Sequence, residues 1–293
     1  MPHFRTSDYC RLALAITLLA PALAQATNGY QLIGVGSYQK SLAGAVTANP
    51  GSAMTAITNP AGMIRIDQRA DFSMEGFMPD RSVDFEALGG DKNDSDSDLY
   101  GVPSIGWTAP VGDRPDLYFG GGMYGTSGLG VDYSETLMMP AAASFTGNDL
   151  IWSGYSNIAF WQMAPTLAWN PNERLSLGFA VNIDYQQVSF EQRIRDDVTG
   201  ARYNFDLGRS ANAFGFGLSL GLLYDINDNV TLGFTYKSKQ NFTDLDYNLA
   251  QGDIDLTLVG GPVYPGGKYV LDLDFPQQAS IGVAFRPGER WTI

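Results

Sequence analysis

The feature that most constrains the fold of this chain is a period of two in hydrophobicity, sustained over segments of about ten residues. Between Leu175 and Tyr185 every odd position is large and apolar or aromatic, and every even position is small or polar. The same alternation runs through 213–224, 230–237 and 279–286. Side chains alternate between the two faces of a strand, so each segment predicts a strand with one apolar face. Strands in soluble sheets usually have about 5–6 residues, whereas a tilted strand needs about 9–11 to cross a bilayer.

The connections between these strands fall into two length classes that alternate along the chain. Short connections rich in turn-forming residues are found at 110–115, 170–173, 227–229 and 286–289. Longer polar loops are predicted near 80–98, 125–157, 191–209 and 240–275. Short periplasmic turns and long outside loops are typical of outer-membrane barrels. The fold class predicted from the residues is therefore all-β, an antiparallel transmembrane β-barrel.

One predicted strand allows a check on dimensions. Trp161, Met163, Leu167 and Trp169 share one of its faces. At about 3.3 Å per residue and a tilt of about 40°, the two indoles lie roughly 20 Å apart along the membrane normal, near the roughly 25 Å height of an outer-membrane apolar band. The alternative is a soluble β-sandwich with both tryptophans in its core. Pro165 interrupts this face and predicts a bulge or bend.

The first 26 residues have the three parts of a secretory signal peptide. Arg5 and Arg11 form a basic region, Leu12 to Ala24 form a mostly apolar run, and Ala24-Gln25-Ala26 is a cleavage site with small residues. We therefore expect the chain to be secreted to the periplasm, with a mature start after residue 26. An apolar run of this length is too short to span a membrane as a helix.

Removal of that segment restricts the chemistry open to the protein. His3 and Cys10 are the only histidine and cysteine of the sequence, and both lie within the segment. Without them, Ser-His-Asp and Cys-His catalysis and the usual zinc sites are impossible. The net charge of −13 argues against binding to nucleic acid, which requires clustered Lys and Arg. We expect no enzyme activity, no cofactor and no metal.

Residues 27–68 lack the alternation and are rich in glycine and alanine. A segment of this kind is expected to pack as short helices and turns inside a larger structure. Ser52 is predicted to cap a helix over Ala53–Ile57, which ends at Asn59-Pro60 because proline disfavours helix in the residue before it.

The mature chain resembles a known family. Asn28-Gly29-Tyr30 at the mature start, the small-residue stretch Lys40–Val46, and Thr58-Asn59-Pro60-Ala61-Gly62 ahead of a β-barrel are similar to the FadL/TodX family of outer-membrane transporters for hydrophobic compounds. The resemblance implies a 14-stranded barrel with a helical N-terminal hatch inside it, here residues 27–68, with the hatch motif at Asn59, Pro60 and Ala61. It also implies passive transport of long-chain fatty acids or aromatic hydrocarbons in the bacterial outer membrane.

The barrel is assigned to residues 69–293. We count eight complete strands in it and the start of a ninth at Arg290–Ile293, without a terminal strand ending in an aromatic residue. Compared with the family pattern, the chain is therefore expected to be incomplete at its C-terminus. The expected partners are hydrophobic small molecules such as a fatty acid, an aromatic hydrocarbon or a detergent, together with outer-membrane lipid, and we expect a monomer.

Candidate ligand-binding residues come from the predicted outside loop between 126 and 157. Apolar residues on an exposed loop either pack on each other or form a surface that captures ligands. The resemblance favours capture, and methionines suit irregular acyl chains. The candidates are Leu137, Met138, Met139, Phe145, Ile151 and Trp152.

Three further patterns have weaker functional interpretations. The acidic loop Asp91–Asp98 lacks the glycine and the closing glutamate of an EF-hand, so we expect a solvated loop, with weak binding of divalent cations as the alternative. Gly120-Gly121-Gly122 lacks the Lys-Ser/Thr of a phosphate loop, and predicts instead a strand that bends or approaches the hatch. The acid pairs Asp244/Asp246, Asp253/Asp255 and Asp272/Asp274 are ordinary spacings on polar strand faces, and a glycosidase pair is disfavoured.

The function predicted from these patterns is passive outer-membrane transport of hydrophobic compounds. The first alternative is a barrel without this transport role, such as an adhesin, a structural protein or a general porin. The second is a barrel enzyme, against which the missing histidine argues.

Overall fold

The computed structural model describes residues 32–287, and for Thr126, Ser127 and Leu129 it describes the backbone alone. The predicted signal peptide, the first residues of the predicted hatch at 27–31, and the strand start at Arg290–Ile293 lie outside the described residues. In the part that is described, no helix has the length and apolar character needed to cross a membrane.

The N-terminal segment, by which we mean described residues 32–68, contains three short helices. They are α1 (Gly36–Ser41), α2 (Thr55–Thr58) and the 3-10 helix η1 (Pro60–Arg65). Helix α2 stops before Asn59-Pro60 as predicted, with Asn59 as its C-cap, but it begins two residues after the predicted start, and the Ser52 side chain does not cap it. Ser52 is wrong as a cap because its backbone carbonyl, and not its hydroxyl, accepts from the Thr55 N–H. The Ser52 hydroxyl is buried without a partner among the described residues.

Strands make up most of the remaining structure. Their bounds are β1 (Arg69–Phe77), β2 (Ser82–Asp84), β3 (Lys92–Asp94), β4 (Tyr100–Val111), β5 (Arg114–Met139), β6 (Leu150–Met163), β7 (Thr166–Asn172), β8 (Leu175–Asp196), β9 (Arg202–Asn227), β10 (Val230–Lys237), β11 (Asn241–Phe242), β12 (Leu245–Leu249), β13 (Ile254–Asp255), β14 (Gly267–Leu271) and β15 (Gln278–Phe285). Two further 3-10 turns lie at Glu86–Leu88 and Thr257–Val259.

The wall is one antiparallel sheet in the order β1-β4-β5-β6-β8-β9-β10-β15, and β7 continues β6 between β5 and β8. Consecutive wall strands are therefore neighbours, as in an up-and-down barrel. This gives eight wall strands if β6 and β7 are taken as one, in agreement with the eight predicted complete strands. Within residues 32–287, β1 and β15 each pair with a single wall strand and not with one another.

The predicted alternation is confirmed, and the exposure of its residues shows which face of the sheet points outward and which points into the lumen. In β7 and β8, Trp169 is 43% exposed beside a fully buried Ala168, and Phe179 is 42% exposed beside a fully buried Ala180. The large apolar residues thus point outward, and the small and polar residues point into the lumen. A polar lumen and an apolar outer band are the arrangement that a lipid environment requires. Trp161, Met163, Leu167 and Trp169 share the outward parity, as predicted.

Two predicted outside loops are instead strand. Residues 125–157 contain the end of β5 and the start of β6, and the connection itself is only 140–149. Residues 191–209 likewise belong mostly to β8 and β9, which are joined by 197–201. The prediction was wrong because strands that extend beyond the lipid need no apolar outer face, so their period of two is lost. These parts of the strands are instead stabilised by cross-strand polar pairs, such as Arg193 with Asp206 at 2.8 Å.

Pro165 coincides with an interruption of the strand, without the extra residue of a bulge. Strand pairing breaks between β6 and β7 at Ala164 and Pro165, opposite Gly121 of β5. Gly121 has a φ of +137°, which is unfavourable for a residue with a side chain. A Cβ on Gly121 would lie 2.3 Å from the Ala164 carbonyl oxygen. Glycine is therefore required at this point of the wall.

A further segment packs on the lumen side of the wall. We call residues 238–277 the inner loop, and it contains β11 to β14. Buried Leu245, Tyr247 and Leu249 of β12 form a hydrophobic cluster with Val188, Ala211 and Ala213, which are inward residues of β8 and β9. The Tyr247 hydroxyl donates to the Val188 carbonyl oxygen at 3.0 Å. The predicted polar loop 240–275 is therefore a folded element with its own apolar face.

Candidate functional site

The motif Asn59-Pro60-Ala61 forms a fully buried turn between the N-terminal segment and the wall. The Asn59 Oδ1 accepts from the Ala61 N–H at 3.1 Å, which caps η1, and Pro60 occupies its first position. The Asn59 Nδ2 donates to the carbonyl oxygens of Thr47, at 2.7 Å, and of Leu222 in β9, at 3.2 Å. One side chain thus links the turn, the rest of the N-terminal segment and the wall.

The wall approaches the N-terminal segment through glycines. A Cβ on Gly178 would lie 2.1 Å from the Ala61 nitrogen, and one on Gly221 would lie 2.2 Å from Asn59 Oδ1. Gly178 and Gly221 are direct partners across β8 and β9. At six lumen positions a Cβ would meet this segment at 3.1 Å or less, and we call these residues the wall glycines: Gly106, Gly120, Gly178, Gly221, Gly233 and Gly282.

Gly120 belongs to this set, which confirms that the Gly120–Gly122 stretch approaches the N-terminal segment. Its Cβ would lie 2.6 Å from Met63 Cε. Sequence reasoning identified this stretch but missed the other wall glycines, because a small residue at an inward position is ordinary in a barrel. The sequence nonetheless contained a signal for them. Glycine recurs at inward positions of several strands, at similar distances from the short turns.

Arg65, at the end of η1, joins the N-terminal segment to the short-turn end of the barrel. Its Nη1 lies 2.6 Å from Asp225 Oδ2, and Asp225 Oδ1 accepts from the Thr231 hydroxyl at 2.7 Å. Arg65 also donates to the Ser176 hydroxyl and to the Arg174 carbonyl oxygen. Short turns mark the periplasmic side, so the N-terminal segment lies at the periplasmic end of the lumen.

A polar layer follows on the outer side of that segment, formed by inward residues of four wall strands and the inner loop. The Lys237 ammonium donates to Gln162 Oε1 at 2.8 Å, and Gln162 Nε2 donates to Asp184 Oδ1 at 2.8 Å. Gln240 contributes its side-chain oxygen at 3.5 Å from Gln162 Nε2. We define the polar layer as Tyr124, Gln162, Asp184, Gln186, Thr235, Lys237 and Gln240.

An apolar layer lies immediately beyond the polar layer. Phe160 is two residues from Gln162 on the same face of β6, and Phe242 is two residues from Gln240 in the inner loop. The Phe160 ring lies 4.4 Å from Phe275 and 5.6 Å from Phe242, measured between ring centroids. These three rings and the Leu245–Tyr247–Leu249 cluster form the apolar layer. Sequence reasoning missed it because the segment that contains Phe242 and Phe275 was predicted to be a polar outside loop.

An ion pair at the base of the inner loop holds Phe242 and Phe275 in place. Asp274 Oδ2 lies 2.5 Å from the Lys239 ammonium, and Asp274 Oδ1 accepts from the Phe242 N–H at 2.7 Å. The hydrogen bond from Lys239 and the one from the Phe242 N–H hold the pKa of Asp274 below its ordinary value. The same pair raises the pKa of Lys239.

We expect acid to loosen the inner loop. A carboxylate whose folded pKa is lowered stabilises the fold above its unfolded pKa, about 4, and that contribution is lost as the pH falls through the folded value. Asp274→Asn should show the same loosening at neutral pH, as faster hydrogen exchange over residues 239–275. Asp244→Asn removes an exposed carboxylate of the same loop and should leave exchange unchanged. Equal exchange in Asp274→Asn and the unchanged protein would contradict this role.

The six predicted ligand residues are distributed over strand ends and one connection. Leu137, Met138 and Met139 end β5, and Ile151 and Trp152 begin β6. Leu137 pairs with Ile151 across the strands. Trp152 packs instead against Phe85 and Tyr133, at centroid distances of 5.3 Å and 5.4 Å. Phe145 alone of the six is highly exposed, at 67%. The structure therefore does not bring the six residues together on one surface.

The carboxylates singled out in the sequence have structural partners or lie apart. Asp246 pairs with Lys268 at 2.8 Å, and Asp253 pairs with Arg209 at 3.2 Å. Asp255 accepts from the Thr257 N–H. Among the residues that the structure describes, no group of three or more potential metal-ligating side chains is close enough to hold an ion.

The chain is similar to proteins of known class in both sequence and fold. The family described as "Outer membrane protein transport protein (OMPP1/FadL/TodX)" matches residues 13–293. The structure of the P. putida toluene transporter TodX superposes with a TM-score of 0.61 at 18% identity, covering 89% of this chain and 69% of that one. For the Ralstonia pickettii toluene transporter TbuX the TM-score is 0.65 at 18% identity, with coverages of 89% and 70%.

A Pseudomonas aeruginosa FadL homologue has a TM-score of 0.59 at 20% identity, with coverages of 90% and 67%. The chain spans between 63% and 70% of the length of the matched structures. No curated protein sequence matches it.

Proposed function

Because the chain belongs to the OMPP1/FadL/TodX family of outer-membrane transport proteins, we propose that it carries hydrophobic small molecules passively across the outer membrane. The substrate class is that of long-chain fatty acids or aromatic hydrocarbons. The matched structures include toluene transporters and a FadL homologue, which supports this class. The protein is an outer-membrane β-barrel, and its outward apolar face fits contact with membrane lipid.

The observation that carries the proposal is the order of layers along the lumen. From the outside inward, a solute meets the apolar layer, then the polar layer, then the N-terminal segment in the role of a hatch. Phe160 and the inner-loop residues Phe242 and Phe275 offer an apolar solute a favourable environment, at about 25 cal/mol per Å² of apolar surface removed from water. The hatch motif Asn59, Pro60 and Ala61 holds the last barrier, and displacement of that barrier releases the solute.

Capture at the outer end is assigned to the apolar residues at the ends of β5 and β6. We propose that Phe145, which is exposed at the tip of their connection, makes the first contact with a solute. The other proposed capture residues lie along the two strand ends and are Leu137, Met138, Met139, Ile151 and Trp152. Hydrophobic contact at the tip guides an apolar solute toward the lumen without a water-filled path.

The alternatives make different predictions about the lumen. A general porin needs an open aqueous channel, whereas the lumen here is occupied by the N-terminal segment and the inner loop. An adhesin or a structural barrel has no need of an apolar layer beyond a hatch. Enzyme activity is disfavoured because the family consists of transport proteins, and we propose that no cofactor takes part. We further propose that the transporter acts as a monomer.

Uptake of a labelled alkylbenzene or fatty acid into cells producing the full-length protein tests this function. Phe242→Ser should weaken ligand binding to the purified protein by about tenfold or more, because a buried apolar side chain contributes about 1.5–3 kcal/mol. Phe145→Ser should slow uptake without weakening equilibrium binding as much, because Phe145 acts in capture. Val259→Ser, at an exposed site of the inner loop, is the matched control and should change neither.

Two outcomes would contradict the proposal. One is a steady ion conductance typical of an open porin when the protein is reconstituted in a planar bilayer. The other is uptake at the background rate of cells without the protein, since a transporter of this class must exceed passive entry.

A further inference from the structure

The polar layer contains buried polar atoms that lack partners. Four such atoms have no hydrogen-bond partner within the described part of the chain: Tyr124 Oη, Asp184 Oδ2, Gln186 Oε1 and Thr235 Oγ1. Each belongs to a side chain that is at most 5% exposed. Buried polar groups are nearly always paired, so four unpartnered atoms among the residues of the polar layer need an explanation. Asp184 Oδ2 and Gln186 Oε1 accept hydrogen bonds, so their missing partners must be donors.

The register of the wall places three of these groups at neighbouring positions of the lumen face, whereas Thr235 lies nearer the hatch motif, opposite Gly221. Tyr124 is the direct partner of Gln162 across β5 and β6, and Gln162 is the direct partner of Asp184 across β6 and β8. Direct partners in an antiparallel pair point to the same face, here the lumen. Gln186 lies two residues beyond Asp184 on that face, toward the outside. A solute that passes inward therefore meets Gln186 Oε1 first, beside Phe160, and then Asp184 Oδ2 and Tyr124 Oη.

The charges of the layer are already balanced. Asp184 and Lys237 carry opposite charges and are connected through Gln162, which accepts from Lys237 and donates to Asp184. A carboxylate entering the layer would add a second negative charge beside Asp184, in an interior that screens charge weakly. A hydroxyl would add no charge and could donate to Asp184 Oδ2 or Gln186 Oε1. Hydrogen bonds to ionised groups are the strong ones, so the first of these is favoured.

We propose that the polar layer is a head-group site that selects hydrophobic molecules with an uncharged hydroxyl donor, such as alkylphenols, over the corresponding carboxylates. This inference rests on the proposed transport function and specifies its substrate class. One step along β6 or the inner loop, about 7 Å away, Phe160 and Phe242 are positioned to contact the hydrocarbon part of the same molecule. Asp184 is then the specificity-determining residue, and Gln186 is a second acceptor.

Three ligands with the same apolar body test the proposal: 4-octylphenol, octylbenzene and 4-octylbenzoate. At about pH 7 the phenol is neutral and the benzoate is ionised. Equilibrium binding of each radiolabelled ligand to the full-length protein in detergent should give the order phenol, then octylbenzene, then benzoate. One hydrogen bond to an ionised acceptor predicts a phenol preference of about tenfold or more over octylbenzene.

Asp184→Asn keeps the shape of the side chain and removes its charge. We expect this variant to reduce the ratio of phenol affinity to benzoate affinity by about tenfold. The affinity for octylbenzene should be unchanged. Asp244→Asn makes the same charge change at an exposed site of the inner loop and should leave all three affinities unchanged. Gln186→Met provides a second test if Asp184→Asn does not show the heat-modifiable migration of a folded barrel, and it should lower the phenol preference.

The outcomes separate the two proposals. Equal binding of phenol and octylbenzene, a preference for benzoate, or unchanged selectivity in the folded Asp184→Asn variant would overturn the head-group site while leaving hydrophobe transport intact. Failure of all three ligands to bind would instead count against the proposed function itself.

Discussion

Replacement of Asn59 by alanine is expected to release the N-terminal segment from the wall. The substitution removes the bonds that Asn59 donates to Thr47 and Leu222 and the cap that it provides to the Ala61 N–H. Asn59 is fully buried, so water does not replace these bonds at the site. Each buried group left unpaired costs about 1–3 kcal/mol, and the losses together are large compared with the stability of one short segment.

The release should be visible as ion leakage. In planar bilayers Asn59→Ala should show conductance bursts that the unchanged protein lacks, and uptake of a labelled hydrophobic solute should change. Asn59→Asp keeps the acceptor that caps η1 and loses both donated bonds, so it tests the connection to Leu222 separately from the cap. Pro60→Ala retains every Asn59 bond and should have the smaller effect. If Asn59→Ala shows no conductance bursts and normal uptake, there is no basis for assigning a role to the motif.

An alanine at Gly178 should have an effect of similar size from the opposite side of the same contact. Its Cβ would lie 2.1 Å from the Ala61 nitrogen and 2.2 Å from the Pro60 carbonyl carbon, both of which are backbone atoms. Backbone cannot move aside as the end of a long side chain can, so the N-terminal segment or strand β8 must shift. Overpacking of this kind costs about 1–3 kcal/mol or more.

Gly76→Ala is the matched control, because a Cβ on that strand glycine has nothing within 4 Å. We expect Gly178→Ala to lower the temperature of heat-modifiable unfolding and to increase protease cleavage within residues 32–68, with Gly76→Ala unchanged in both. Identical melting and cleavage in the two variants would mean that the N-terminal segment does not depend on close contact with β8.

The wall was predictable from sequence wherever lipid imposes its own pattern. In β7 and β8 the outward residues must be apolar, and the alternation from Leu175 to Tyr185 therefore identified strand, face and span together. Beyond the lipid that requirement ends. The continuations of β5 and β8 therefore lack the alternation and were predicted to be loops. Their pairing, such as Tyr155 opposite Glu191, depends on strand neighbours that the local sequence does not specify.

The candidate site was less predictable because its contacts join distant parts of the chain. Asn59 was recognised from a family motif, but its bond to Leu222 spans 163 positions and leaves no local signal. Gln162, Asp184 and Lys237 were each ordinary inward residues of separate strands. The register of the sheet brings Gln162 and Asp184 together, and the long side chain of Lys237 reaches Gln162 from β10. The capture residues were assigned to one loop because the local sequence does not show which strand of the hairpin each of them belongs to.

The length of β9 has a consequence for how a solute arrives. Its 26 residues, at about 3.3 Å each and a tilt of about 40°, rise roughly 65 Å along the membrane normal. The apolar band of an outer membrane is about 25 Å tall, and the short turns lie near its inner boundary. About 40 Å of sheet therefore extends beyond the outer boundary of the apolar band. A hydrophobic molecule diffusing toward the cell can therefore meet the outer rim of the sheet before it reaches the bilayer surface.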